Sequence, residues 1–479
     1  MKGRSDSISR LLAAIVVVSL SCLSLGAESP ADRAEAMVRS LMESTEIPGL
    51  SVSVGQDGDI LWSNGFGVSS LELGTQVTRQ TRFRAASVSK ILTVAAAARL
   101  VAMGKLDLDA PIQRYVPAFP DKGQRISLRQ LAGHLGGIRH YRFEDFQHDR
   151  EHFESLGDAL GIFAEDPLAA DPGVKYQYST FGYTLIGAAI EEVCGSNFLP
   201  CIEQLVFEPL AMTRSGGDIL SMVIRDRTAF YDRDQKGEIE NARSVDPSYK
   251  WPGGGLLTTP DDLVRFGMAH LNGDFLSEKS RNEVFVSQKT TDGAETGVGI
   301  GWRIGTDPRG RVVFHHSGSM SGARSTLVLF PESGLVVSLM TNLDRYPAFV
   351  ERTAFALAEV FLSQSALMQA PSKELEGVFD FVGEYAGGSL NGRIELDQGR
   401  RGTMTTPAPL VEFMKANGQP VRAELPIVNV SIVDGRQFLV VAMAYGLLEI
   451  PIEIAGDEFG GTLQLGRNAL EFTATPVGR

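Results

Sequence analysis

Two blocks of β-forming sequence bracket a helical middle, and this order constrains the fold more than any other feature. The first block, Gly49–Gly67, alternates apolar and polar residues on either side of Asp57-Gly58, the pattern of a β-hairpin. The last block spans residues 311–343, where RVVFHH, STLVLF and GLVVSLMTN are apolar β-formers split by Gly, Ser and Pro. Between them, SVSKILTVAAAARLVAMG opens at Ser87 and favours helix until Gly104. A second helix is announced by Thr259-Pro260-Asp261-Asp262, which offers a cap, a first-turn proline and two acids for the positive dipole end. Residues 31–45 read as an opening helix and Pro347–Gln364 as a closing amphipathic one. Strands at both ends with helices between predict an α/β (α+β) fold. One antiparallel sheet is shared by both ends of residues 28–365, flanked by helices, with an inserted helical lobe.

The remaining length requires more than this domain. The chain has 479 residues, 43% hydrophobic and 22% charged, which excludes wholesale disorder. Residues 366–374 read as a linker. Residues 375–479 hold strand-like runs such as PIVNVSIV, QFLVVAMAY and LLEIPIEI and no strong helical pattern, so a small antiparallel all-β accessory domain is expected. The net charge of −13 and the absence of a Lys/Arg-rich block exclude a general nucleic-acid binder.

Lys2, Arg4 and Arg10 precede a charge-free run, Leu11–Ala27, so residues 1–27 read as a secretory signal peptide. The mature protein is expected to be exported, periplasmic or secreted. Membrane contact is expected only through this segment, if it stays uncleaved. In an oxidising compartment Cys194 and Cys201 could bridge; two buried thiols on adjacent helices are the alternative.

The chemistry concentrates where the apolar middle begins. The helix after Ser87 is apolar nearly all round, yet Lys90 lies in its first turn. A buried ammonium is costly unless it is partnered or deprotonated. Ser87 lies three residues earlier, on the same face and near the helix N-terminus, which makes it a candidate activated nucleophile. Among the lysines only Lys90 has a serine at that spacing. Tyr178, in Tyr178-Ser179-Thr180, precedes another amphipathic helix and could shuttle protons once a nearby cation lowers its pKa. His316-Ser317-Gly318-Ser319 ends a strand, where a backbone N–H can face an oxyanion and glycine lets substrate approach. His134-Leu135-Gly136 repeats the HxG triplet, which is therefore not specific by itself.

Taken in order, these elements resemble the class C β-lactamase-like serine hydrolases. FRAASVSK (Phe83–Lys90), GKLDLDAPIQRYVPAFP, LAGHLGGIRHY, the Tyr178 element, GGGLLTTPDDLVRF, GVGIGW and HSGSMSGARS carry the resemblance over residues 31–365. GIRHY and YSTFGY are most similar to the eukaryotic serine β-lactamase-like branch. The resemblance implies a penicillin-binding-protein-like fold and a Ser87 acyl-enzyme. Lys90 and Tyr178 would share general-base work, His316 would join the catalytic set, and the backbone N–H groups of Ser87 and Ser319 would form the oxyanion hole. Thr180, Ser317 and Gly318 would contact a small-molecule or peptide substrate. No cofactor and no metal is implied. Two positions depart from dedicated β-lactamases of this class, which usually carry Asn where Thr180 stands and Lys where His316 stands. A hydroxyl offers fewer bonds than an amide, and histidine is not a fixed cation. An esterase or D-amino-acid peptidase with weak or no β-lactamase activity is therefore expected. A true β-lactamase, a D,D-carboxypeptidase or a non-catalytic binder are the alternatives.

Overall fold

The computed structural model describes residues 28–273, 275–344, 350–362 and 375–477, the last with short gaps at 386–387, 398–400, 417–418, 434–435, 445 and 466–467. The signal segment 1–27 and the linker 366–374 lie outside the described residues.

Helix α1 (Pro30–Thr45) opens with a capping box: Ser29 Oγ accepts the Asp32 N–H, and the Asp32 carboxylate takes the Ser29 N–H. Strands β1 (Gly49–Gln56) and β2 (Asp59–Ser70) form the hairpin expected at Asp57-Gly58. Both turn residues have positive φ, 53° and 99°, as a two-residue hairpin turn of matching twist requires. A short β3 (Thr75–Gln76) follows at the edge. The sheet is completed from the far end of the domain by β4 (Arg303–Thr306), β5 (Val312–Met320), β6 (Ala323–Phe330) and β7 (Leu335–Thr341). The order is β3-β2-β1-β7-β6-β5-β4, antiparallel throughout. Leu50 pairs with Thr341 and Gln56 with Leu335, so both chain ends meet at the centre of one sheet.

Alternation along β6 divides the core. Leu327 and Leu329 face a cluster built from helices α2 (Ser89–Ala102), α3 (Phe181–Cys194) and α4 (Pro260–Asn272). Val328 and Phe330 face α1 and α5 (Val350–Leu362) on the other side. Thr259 caps α4 by accepting the Asp262 N–H at 3.2 Å. Gly104, at φ 71°, lies two residues beyond the end of α2. Cys194 and Cys201 are joined as a disulfide, their Cα atoms 6.2 Å apart.

The C-terminal strands close into an eight-stranded antiparallel barrel between Gly377 and Pro476. A helix, α6 (Ala408–Ala416), lies within it, where the sequence reading expected no helical pattern. Leu410 and Met414, four apart, are its buried face, and nine residues give that periodicity little length in which to show. The barrel packs on α1 and α5 through Val428, Val440, Ala442 and Leu447. An ionic cluster crosses the same junction. Arg309, in the β4–β5 turn, meets Glu449 of the barrel at 2.6 Å and Glu359 of α5 at 3.2 Å; the side chains are 3%, 2% and 4% exposed. Arg311 joins Glu359 and Asp307 at 2.9 and 2.6 Å.

Candidate active site

The backbone before α2 is under tension. Ala86 is 1% exposed and holds φ 45°, a conformation β-carbon-bearing residues rarely adopt. It starts a 3₁₀ turn, Ala86–Val88, that runs into α2. Ser87 therefore sits in that tight turn rather than in the α-helix itself, with its hydroxyl towards the cleft. Strand β5 passes close by. A Cβ at Gly318 would lie 2.4 Å from the Ala85 carbonyl oxygen and 2.8 Å from the Ala86 Cβ, so only glycine permits this approach. Ser325 on β6 secures it, donating from Oγ to the same carbonyl at 2.6 Å.

Lys90 is fully buried one turn further on, with Nζ 3.2 Å from Ser87 Oγ, 3.1 Å from Thr180 Oγ1 and 2.6 Å from the Gly253 carbonyl oxygen. Every one of these partners is neutral, and among the described residues no carboxylate pairs with it. Burial pushes its pKa well below the ordinary lysine value, and the Arg303 guanidinium adds to the shift. A neutral amine here donates to Gly253 and Thr180 and keeps its lone pair for the Ser87 proton.

Tyr178 O–H lies 2.8 Å from the same Ser87 Oγ. Its pKa is raised, not lowered as the sequence reading expected. Burial outweighs the Ser87 hydrogen bond and the Arg303 charge, so the phenol keeps its proton. The turn that carries it is braced by two histidines. The Ser179 N–H donates to His134 Nδ1 and the Thr180 N–H to His140 Nδ1, each at 3.2 Å. The Tyr178 ring lies 4.4 Å from His134 and 5.3 Å from His140. Burial pushes His140 down to about 4 and His134 well below its ordinary value, which preserves both as acceptors. The sequence reading met His134 only as a second, unspecific HxG. Its signal is the pair of histidines upstream of a YST turn, but the contact is tertiary.

Ser317, Gly318 and Ser319 line the same cleft as Ser87, Tyr178 and Thr180, a space of about 930 Å³. His316 does not line it. Alternation turns this side chain inward, where it is 2% exposed, with Nδ1 2.8 Å from the Ser317 carbonyl oxygen. Burial, with the Arg303 charge adding to it, holds its pKa well below the ordinary value, so the ring is neutral. It makes no hydrogen bond to Ser87, Lys90 or Tyr178. A second buried lysine, Lys250, reaches the cleft wall. It lies 3.3 Å from Asp149 and 2.9 Å from the Tyr249 hydroxyl, which itself donates to Asp149 at 2.7 Å. Among the described residues no cluster of His, Cys, Asp or Glu could hold a metal ion.

The Beta-lactamase family matches residues 34–361. The human serine beta-lactamase-like protein LACTB, mitochondrial, is 29% identical over 429 residues, 67% of this chain and 78% of that protein. Esterase EstB of Burkholderia gladioli is 28% identical over 349 residues, 63% of this chain and 86% of the esterase. Among solved structures, the octameric penicillin-binding protein homologue from Pyrococcus abyssi aligns with a TM-score of 0.60 at 22% identity. That alignment covers 92% of this chain and 99% of the other, so the likeness in fold extends over the barrel.

Proposed function

This chain belongs to the beta-lactamase family and is a serine hydrolase, and from that premise we propose that it cleaves an ester or amide bond through a Ser87 acyl-enzyme. The observation that carries the reading is the pair of contacts to Ser87 Oγ: a desolvated amine at 3.2 Å and a protonated phenol at 2.8 Å.

Ser87 Oγ attacks the carbonyl carbon while its proton passes to the Lys90 lone pair. The oxyanion is held by the backbone N–H groups of Ser87 and Ser319, as the family resemblance implies. When the tetrahedral species collapses, the leaving group takes a proton from Tyr178 O–H, and the Lys90 ammonium reprotonates the phenolate so formed. Water then attacks the acyl carbon. Lys90, neutral again, takes its proton by relay through Tyr178 O–H and returns one to Ser87 Oγ, which restores the resting site. His316 supports the site from behind rather than touching substrate.

Two features favour ester or D-peptide substrates over β-lactams. Thr180 spends its oxygen on Lys90 Nζ, and the neutral His316 supplies no cation at the one position where dedicated β-lactamases of this class usually carry Lys. EstB, named an esterase, points the same way. Residues 1–27 extend the proposal to an exported protein, testable by fractionating the expressing cell.

Turnover of a short-chain chromogenic ester, a D-alanyl dipeptide and a chromogenic cephalosporin, each with wild type and Ser87→Ala, tests the reading. Ester or dipeptide turnover that vanishes in Ser87→Ala is expected. Activity that survives Ser87→Ala refutes the mechanism. Rapid cephalosporin turnover refutes the substrate preference. A stable Ser87 adduct without product release would mark a binder instead.

A further inference from the structure

The cations that line the cleft are not equivalent. Arg324 is paired with Asp344 at 2.9 Å, and Lys250 and Arg243 share Asp149. Arg303 lines the same cleft, is exposed, and has no carboxylate partner among the described residues. Its position is fixed from behind. Trp302 is fully buried, with its ring 6.1 Å from Phe266 and 5.3 Å from Phe285. Gly301 holds φ 80°, and a Cβ there would press within 2.7 Å of Val94 on α2. The backbone leaving this anchor enters β4, where Arg303 stands opposite His315 of β5. The guanidinium carbon is 5.9 Å from the Tyr178 ring centroid, over the residue that touches Ser87.

The Arg303 guanidinium is a fixed charge in a cleft whose neighbouring buried amine and imidazole are neutral. Its charge opposes protonation of Lys90 and of His316. An anionic ligand group would meet this unopposed charge and accept two parallel N–H bonds, the arrangement guanidinium suits best. We propose that Arg303 is the anion-recognition residue of this cleft and that the preferred substrate carries a carboxylate near the scissile carbonyl. This assignment rests on the hydrolase reading above. It moves the fixed positive charge from position 316, where the ring is neutral and faces away from the cleft, to the neighbouring strand.

Matched chromogenic or ultraviolet-detected esters test it on the full chain. One pair carries the charge on the leaving group, 3-acetoxybenzoate against 3-acetoxybenzamide. The other carries it on the acyl chain, the 4-nitrophenyl monoester of adipic acid against 4-nitrophenyl hexanoate. Wild type is expected to prefer the carboxylate in at least one pair, and added salt should erode that preference. Arg303→Met should lower kcat/KM on the preferred carboxylate about tenfold or more while changing its neutral partner less than about threefold. Arg303→Lys should recover part of the preference. An exposed residue should leave thermal unfolding unchanged, which keeps the comparison clean. No preference in wild type, with Ser87-dependent ester turnover intact, overturns the proposal and spares the hydrolase reading. Equal losses on both members, with a displaced acid limb in the pH profile, also overturn it, because Arg303 would then act on Lys90 alone. Absence of any Ser87-dependent turnover overturns both.

Discussion

Two lysines are buried within this domain, and they show how the same side chain can become a base or a brace. Lys90 is fully buried among a serine, a threonine and a carbonyl oxygen, all neutral. Lys250 is 7% exposed beside Asp149 and the Tyr249 hydroxyl. Burial lowers both pKa values, but Asp149 opposes the shift at Lys250 and leaves it at about 8, whereas Lys90 meets no such opposition and falls well below the ordinary value. Partner charge, more than depth of burial, separates an amine free to take a proton from one held as a cation.

The largest expected difference lies in activity. Lys90→Met should lower kcat/KM by about a thousandfold or more, on the scale of a general base. Ser87→Ala should fall as far, and the double variant hardly further, because the two act as one unit. Lys90→Met should leave the urea midpoint unchanged or raise it, since no buried carboxylate loses its partner. A clear loss of stability in Lys90→Met would erase the distinction between the lysines.

Asp149→Asn should do the reverse. It removes the carboxylate that Arg243, Lys250 and Tyr249 share. Breaking a buried pair from one side costs about 3–5 kcal/mol. A large drop in melting temperature is expected, while kcat/KM per folded molecule changes less than about tenfold.

The third expectation is a pH dependence. A lysine whose folded pKa lies below its unfolded value costs stability at low pH, and that cost disappears as pH rises through the window between the two. For Lys250 the window runs from about 8 to 10.5. Across it, wild type should gain about 3 kcal/mol relative to Lys250→Met. Urea titrations at stepped pH measure this. The same difference taken against Lys90→Met should begin to rise at a lower pH, and the acid limb of kcat/KM should follow Lys90 rather than Lys250. Coincident windows would mean that Asp149 does not set the two lysines apart.

Much of this site was legible in the sequence because it violates local pattern. A lysine in an all-apolar helix demands an explanation, and a serine three residues earlier supplies one. The β-hairpin, the opening and closing helices and the sheet joining both chain ends were legible for a related reason, since period-two and helical patterns persist there over many residues. The rest depends on contacts between distant segments. Nothing near His134 announces that its ring accepts the Ser179 N–H, 45 residues on. Gly318 reads as a glycine that lets substrate approach until strand β5 is seen pressed against Ala85. The direction of the Tyr178 shift was misjudged because burial, which the local sequence hides, exceeds the effect of the nearby cation. Helix α6 offered only two buried positions to set its period.

The ion cluster about Arg309 ties the barrel to a turn that has the cleft at both strand ends. Arg303 lies at one end of this hairpin and Ser319 near the other, while Glu449 grips the bend between them. A change in the barrel is therefore also a change to the catalytic wall. Exchange of barrels between relatives should be tolerated better where the incoming barrel brings an acid to the position of Glu449. The barrel is in that sense inherited with the active site, although it lends no side chain to the chemistry.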